Sequence, residues 1–497
     1  MSPLLRTKSI DALIAASEQP EHRLKKSLGV WSLIALGIGA VIGSGIFTLT
    51  GTAAAGVHFE TKSILKAPVL DLLLNGGDAA TLTGRAGAGP AISVSFILVA
   101  IACSFAALCY AELASMIPIA GSAYTYSYAT LGEIFAWIIG WDLILEYAVS
   151  NMSVAVGFSA YFNDILDNLF GFHLPKQLSD PMIVEGQFTG SWFNLPALLI
   201  LMALSYILVR GVRESAGTNN AMVLIKIAAI LVFVFGAAHA VNTSNWHPFM
   251  PNGYSGVLTG AAIIFFTYIG FDSVSTAAEE CHRPQRDMPI GILATLVICA
   301  VLYGSVALVL TGIANWRTLD NAAPVANALK ALGMNRVRLI VTAGALLGML
   351  SSLLVFQYGQ ARVWFAMSRD RLLPGLFSRV HPRFKTPHIS TWVAGFAVGI
   401  PAGIWDIGTF ADLSNIGTLF AFILVSAGVI VLRKKQPERK RGFRVPFVPL
   451  FPAISIVCCL VLMLSLPLET WVRFFVWLVI GLFIYFGYSR HRTRDLV

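Results

Sequence analysis

Few residues in this chain can do chemistry, and most of those lie inside apolar runs. The stretch 29–51 reads GVWSLIALGIGAVIGSGIFTLTG and carries Gly43-Ser44-Gly45 at its centre. A helix that only crosses lipid gains nothing there, because each interior Gly weakens a helix by about 1 kcal/mol relative to Ala. Lys226 stands inside a second apolar run, Glu146 inside a third, and Gly270 and Asp272 interrupt a fourth, FFTYIGFDSVSTAAEE at 265–280. Backbone groups released from a helix in hydrocarbon cannot turn to water, so a break survives only where protein or a cavity surrounds it. N–H groups and the positive dipole end exposed around Ile42, Gly43, Ser44 and Gly45 favour an anionic group, with the Ser44 hydroxyl as an added donor. Carbonyls freed over Phe266, Thr267 and Ile269, at the negative end of a half-helix, favour a cationic one. Such breaks point to a binding site near the membrane midplane. The competing use of the glycines is close helix packing; their position in mid-run, echoed by the second break, favours the site.

The elements that must hold these residues are membrane spans. The 497 residues are 56% hydrophobic and 12% charged, with mean hydropathy +0.73. That is the composition of a polytopic membrane protein, each spanning helix needing about 20 apolar residues. Twelve spans are expected, at 30–50, 90–110, 128–162, 192–210, 218–240, 255–278, 289–313, 338–367, 389–405, 409–432, 448–467 and 471–489. The tail 1–29 reads as cytoplasmic and uncleaved, with the first span as a signal anchor. Inside segments then hold Arg23, Lys25, Lys26, Arg210, Arg213, Arg283, Arg286 and the basic stretches 369–385, 433–447 and 490–497. About 25 of the 35 Lys and Arg fall inside and about 9 outside, as the positive-inside rule requires. The net charge of +9 is thus topological, and the run Arg433-Lys434-Lys435…Lys440-Arg441 reads as a stop-transfer signal touching anionic lipid, not nucleic acid. None of the six cysteines lies in an outside loop, so no structural disulfide is expected, and Cys458-Cys459 reads as lipid-facing packing.

Two connections stand out. Residues 121–133, GSAYTYSYATLGE, are small and aromatic; they either cover the inner mouth or form an ordinary amphipathic connector. Residues 57–89 form a long outside connection, with a short helix expected over 63–74 and a Gly-rich return. A solvated decoration is the expectation there, a mobile lid the alternative.

Seven ordered stretches together resemble one family. They are GIGAVIGSGIFTLTG (37–51), FAALCYAELAS (105–115), PIAGSAYTYSYATLGE (118–133), GWDLILEYAV (140–149), GTNNAMVLIKIA (217–228), the 265–280 stretch, and YGQARVWFAMSRDRLLP…VHPRFKTP (358–387). The chain resembles the amino acid–polyamine–organocation superfamily, and within it the cationic amino acid transporter family in its bacterial twelve-span form. The resemblance implies an all-α integral membrane protein with a LeuT-type inverted repeat of five plus five helices, helices 1 and 6 broken. The transport core would be 30–432, with 448–489 as two added helices. It implies transport of L-amino acids across the cytoplasmic (inner) membrane, often by proton symport, with the proton as coupling ion and no other cofactor. The long 57–89 connection departs from the family's usual short one and leaves the outer vestibule open to question.

The resemblance also assigns residues. Ile42, Gly43, Ser44 and Gly45 would hold the substrate carboxylate, and Phe266, Thr267 and Ile269 its ammonium. Phe266 would cover the bound substrate as a gate, the alternative being plain packing. Lys226, about nine residues or roughly 13 Å into its span, is deep for a snorkelling side chain. It corresponds to a lysine that ties spans 5, 1 and 8 and responds to protons; the alternative is a permanently charged structural lysine. Glu146 and Asp272 either meet the substrate or a proton, or serve structure by hydrogen bonding. Asp142, one turn before Glu146, reads as solvated or capping. Phe356 and Gln357, if they face the cavity, shorten the side-chain pocket and favour small or neutral amino acids. An obligate exchanger of amino acids or polyamines, and a membrane sensor that binds amino acid without moving it, remain as alternative functions. Enzymatic motifs such as HExxH or a phosphate loop are absent. A small single-span partner subunit is compatible with the sequence, which leaves the oligomeric state open.

Overall fold

The computed structural model describes residues 7, 9–11, 14 and 28–493, other than 60–61, 79–81, 120–121, 185, 211–215 and 385. The expected inside charges Arg23, Lys25, Lys26, Arg213, Lys385 and Arg494 lie outside the described residues.

Nearly all described secondary structure is helical, because a helix satisfies its own backbone where no water is available. The main helices are α1 (Val30–Val41), α2 (Ser44–Ala55), α3 (Ile92–Met116), α4 (Ser122–Thr130), α5 (Glu133–Phe170), α6 (Leu195–Arg210), α7 (Ala216–Ala237), α8 (Gly253–Ile264), α9 (Pro284–Ile313), α10 (Asn335–Arg369), α11 (His388–Ile404), α12 (Ile407–Lys435), α13 (Leu450–Leu464) and α14 (Leu468–Ile484). Eight helical segments are long and apolar enough to cross a membrane, and α1 with α2 makes a ninth, bent by 46°. The helices α6, α11 and α13 are apolar but shorter. The chain is a multi-pass, all-α membrane protein.

Polar residues turn inward and large apolar ones outward. Leu224 and Phe235 of α7, Val297 and Val301 of α9, and Phe483 of α14 are exposed, whereas Lys226, Glu146, Asp272 and Gln357 are buried. The helices α3 and α9 pack together, α5 packs on α10 and α12, α7 on α10, and α1 on α9 and α7. The breaks therefore sit at the centre of the bundle. The long helix α5 runs 38 residues, or about 57 Å, and projects beyond a hydrocarbon core of about 30 Å. At its projecting end Asp164 pairs with Arg338 and accepts from Thr342 at 2.7 Å, and Asp167 pairs with Lys330 at 2.7 Å. These ties fix α5 against the start of α10.

The structure changes four of these expectations. The third span begins at Glu133, because Gly132 takes a left-handed conformation (φ 117°) after α4. Every residue of α4 is buried, and Tyr124 donates to Asp370 at 2.8 Å, so this segment is no surface connector. Arg433 and Arg441 of the basic run are turned onto buried Glu112 at the end of α3. Arg433 binds it with two bonds of 2.8 and 2.7 Å, Arg441 with one of 3.1 Å, and Val445 N–H adds 2.7 Å. Two guanidinium groups are thus spent on a protein carboxylate instead of lipid. Cys459 is buried too, so the Cys458-Cys459 pair is not simply lipid-facing.

The 57–89 connection is exposed at Ile64, Leu65, Leu73 and Leu74, but it is also fastened to the bundle. Its strand Gly84–Ala86 pairs antiparallel with Gly56–His58 at the end of α2. A 3₁₀ turn at Ile64–Lys66 and a helix at Val69–Asn75 follow the expected short helix. Val69 N–H donates to Leu466 O at 3.1 Å and Leu468 N–H to Ala67 O at 3.0 Å, which fastens the connection to the α13–α14 turn.

Glu112→Ala should cost on the order of 3 kcal/mol, since it leaves two guanidinium groups without their shared acceptor. Arg473→Ala, which breaks a partly exposed pair with Glu469, should cost under about 1 kcal/mol. The thermal midpoints of the purified variants in detergent check this; equal midpoints would show that the basic loop is not anchored through Glu112.

Candidate functional site

The first break is made by two residues. Ile42 leaves the helix at φ −80°, ψ 88°, and Gly43 follows at φ −116°, ψ −142° before α2 begins at Ser44. In an unbroken helix the carbonyls of Gly39, Val41 and Ile42 would accept from residues four further on. Here other groups take them. Lys226 Nζ donates to Gly39 O at 2.7 Å and Ile42 O at 3.0 Å. Ser352 of α10 adds its hydroxyl to the same two oxygens at 3.3 Å each. Tyr303 of α9 donates to Val41 O at 3.1 Å, and Gly43 N–H to the same oxygen at 3.0 Å. Lys226 is fully buried, its charge placed against two carbonyl dipoles at the negative end of α1. The lysine thus ties α7 to α1 and lies with Ser352 of α10 on the same pair of oxygens.

The second break lies opposite. After α8 a 3₁₀ turn covers Phe265–Tyr268, Ile269 is extended, and Gly270 is left-handed at φ 117° before a 3₁₀ segment Phe271–Glu280. A side chain at Gly270 would meet Ala40 at about 3.0 Å, and one at Gly45 would meet Thr267 Cγ2 at 2.8 Å and Phe266 Cδ1 at 3.2 Å. Glycine at both positions lets the two breaks touch. Asn415 Nδ2 of α12 donates to Ala262 O at 2.8 Å and steadies the last turn of α8. Phe266 O already accepts from Ile269 N–H at 3.2 Å, so only part of the expected carbonyl set stands free of backbone bonds.

Around this junction the named residues divide. Ile42, Gly43, Ser44, Gly45, Phe266, Thr267 and Ile269 come together. No side chain caps α2, so its first N–H groups and positive end face the junction. The Ser44 hydroxyl is buried with no hydrogen-bond partner among the described residues. Glu146 lies close to Asp272, Asp142 and Thr418. Asp272 rests against the backbone N–H groups of Gly270, Asp272 and Ser273 and so helps to start the segment after the second break. Phe356 packs on Tyr147, ring centres 6.0 Å apart, beside Glu146. Gln357 points elsewhere: its amide lies 3.0 Å from that of Asn151, and its Nε2 donates to Ser205 at 3.1 Å, linking α10 to α5 and α6. Asp142 corrects the sequence reading, for it is neither solvated nor capping. It is fully buried, neither oxygen has a partner among the described residues, and it lies against Gly417 of α12.

Sequence reasoning missed Ser352, Tyr303 and Thr418. Ser352 stands one turn before Phe356, and Tyr303 is a polar ring inside the apolar run 289–313. Both are visible as polar groups in spans, but only the fold shows which carbonyl each one meets.

Comparison with known proteins covers nearly the whole chain. The family model described as amino acid permease matches residues 28–485. The chain is 47% identical to the branched-chain amino acid permease BcaP of Bacillus subtilis (strain 168), over 99% of this chain and 98% of that protein. It is 46% identical to the methylthioribose transporter of the same organism, over 99% of both. It is 34% identical to the chloroplastic cationic amino acid transporter 9 of Arabidopsis thaliana, over 87% of this chain and 72% of that protein.

Contact between the breaks can be probed at Gly45. Gly45→Ala should abolish cargo movement by driving Thr267 and Phe266 away. Gly304→Ala in α9, where an added Cβ meets nothing within 4 Å, should leave it intact and gain up to about 1 kcal/mol of helix stability. Equal activity of the two variants in a vesicle uptake assay would mean that the breaks need not touch.

Proposed function

Since this chain belongs to the amino acid permease family, a family of transporters rather than enzymes, we propose that it imports neutral L-amino acids across the cytoplasmic membrane by proton symport. Amino acid transport itself follows from the full-length likeness to named amino acid permeases. The direction, coupling and cargo are the proposal, and the observation that carries the coupling is Lys226 on the carbonyls of Gly39 and Ile42.

In this reading the first turn of α2 holds the substrate carboxylate and the end of α8 its ammonium. Phe266 closes over the bound molecule, and Phe356 limits side-chain length. Lys226 is the proton-sensitive tie. Charged, it clamps α7 onto the end of α1, beside the Ser352 contact from α10; once the proton leaves, the amine keeps fewer donors and loses its attraction to the dipole end, so α1 is freer to move. Glu146 and Asp272 lie close together and suit a cationic group or a proton. The remaining architecture is that of a twelve-span LeuT-type protein, in which α6, α11 and α13 cross as short helices, 30–432 forms the moving core and 448–489 lies outside it. The face carrying Glu112 and its arginines would be cytoplasmic, with both termini. Alternating access then moves one five-helix element against the other around the fixed site.

Branched-chain amino acids are the first cargo to try, given the name of one relative, and methylthioribose the second, given the name of the other. The purified protein in proteoliposomes should accumulate labelled leucine, isoleucine or valine when an inward proton gradient is imposed. Lys226→Met should abolish gradient-driven accumulation. Uptake only with amino acid preloaded inside would make the protein an exchanger, and binding without movement would make it a sensor. Phe356→Ser should extend uptake toward longer side chains such as arginine; an unchanged ratio of arginine to alanine uptake would remove Phe356 from the pocket.

A further inference from the structure

One buried cation takes no part in the broken-helix junction. Arg85 stands in the strand Gly84–Ala86, opposite Val57 in the strand that continues from α2. It is 5% exposed, and its Nη1 donates to Asp412 Oδ2 at 2.6 Å. Its Nε and Nη2 are buried and have no hydrogen-bond partner among the described residues. These two nitrogens form one edge of the guanidinium, with two parallel N–H groups spaced to match the two oxygens of a carboxylate. The end-on nitrogen is spent on Asp412, and the edge suited to a carboxylate is left over.

The edge is held in place. Ala88 N–H donates to Ala53 O at 2.9 Å, and Asn252 Nδ2 to Gly87 O at 2.8 Å, so backbone and side-chain bonds fix the chain just past the strand. Asp412 stands one turn of α12 from Asn415, the residue that grips the end of α8. The acid of the ion pair and the residue that holds the end of α8 thus share one stretch of α12. Asp406 and Arg473 also bear on Asp412.

We propose that Arg85 and Asp412 form a threshold site for the zwitterionic head of an amino acid, separate from the broken-helix site and met before it. The substrate carboxylate takes the Nε–Nη2 edge of Arg85, and its ammonium takes the carboxylate of Asp412. A neutral ion pair that receives a neutral zwitterion buries no net charge. A cationic amino acid would bring an unpaired charge with it, so the threshold selects for neutral substrates. The long connection is thereby part of recognition, since it supplies the arginine. This inference rests on amino acid import as proposed above.

The test is uptake of labelled leucine into proteoliposomes by the full-length protein, comparing wild type with Arg85→Lys. Lysine keeps the charge and the pairing with Asp412 but has no two-pronged edge. KM should rise about tenfold, the scale of one lost charge-assisted pair, while the maximal rate stays within about threefold. Asp412→Asn, which keeps an acceptor for Arg85, should raise KM as well and covers the case in which Arg85→Lys fails to fold. A wild-type KM in either folded variant, or a fall in maximal rate alone, overturns the proposal and leaves Arg85 as a structural clamp. Absence of leucine uptake by the wild type would instead overturn the reading of leucine as cargo.

Discussion

The structure turns on a single debt of backbone hydrogen bonding. Breaking a helix inside hydrocarbon releases carbonyls and N–H groups that lipid cannot satisfy. At the break after α1 that need is met from three directions. Lys226 comes from α7, Tyr303 from α9 and Ser352 from α10, each donating to a carbonyl of Gly39, Val41 or Ile42. A lysine is the strongest of these donors because its charge also meets the negative end of α1. The arrangement explains why a charged side chain is buried so deep, and why three helices distant in sequence converge at one point.

The other half of the break is left uncapped. The carbonyls of Gly39, Val41 and Ile42 are taken by protein groups, while α2 begins without a side-chain cap. The break is thus met by side chains on its carbonyl side and left without a side-chain cap on its N–H side. The carboxylates Glu146, Asp142 and Asp272 gather close to one another.

The ends of the bundle obey the same electrostatics at lower stakes. Glu112 gathers Arg433, Arg441 and the backbone of the basic loop on one face. On the opposite face Asp164 and Asp167 gather Arg338 and Lys330. Each cluster adds directional polar ties to helices already in contact, where apolar packing alone is weakly specific because lipid solvates apolar surfaces as well as another helix does.

The sequence by itself determined the class of the molecule, the two broken segments and the depth of Lys226. Apolar runs of membrane length and glycines in mid-run are local signals, and hydrocarbon leaves a run of that kind one way to satisfy its backbone. It also placed Gly45, Phe266 and Thr267 near one another through the matching breaks. Only the tertiary structure decided what depends on contacts between distant segments. Asp142 is buried because Gly417, 275 residues away in the chain, leaves room for it. Gln357 turns to Asn151 and Ser205 because α5 and α6 present amide and hydroxyl partners there. Tyr303 and Ser352 gain meaning from the carbonyls they reach, and Arg85 from the acid on α12. Helical periodicity tells which face of a span is apolar; it does not tell which other helix that face will meet.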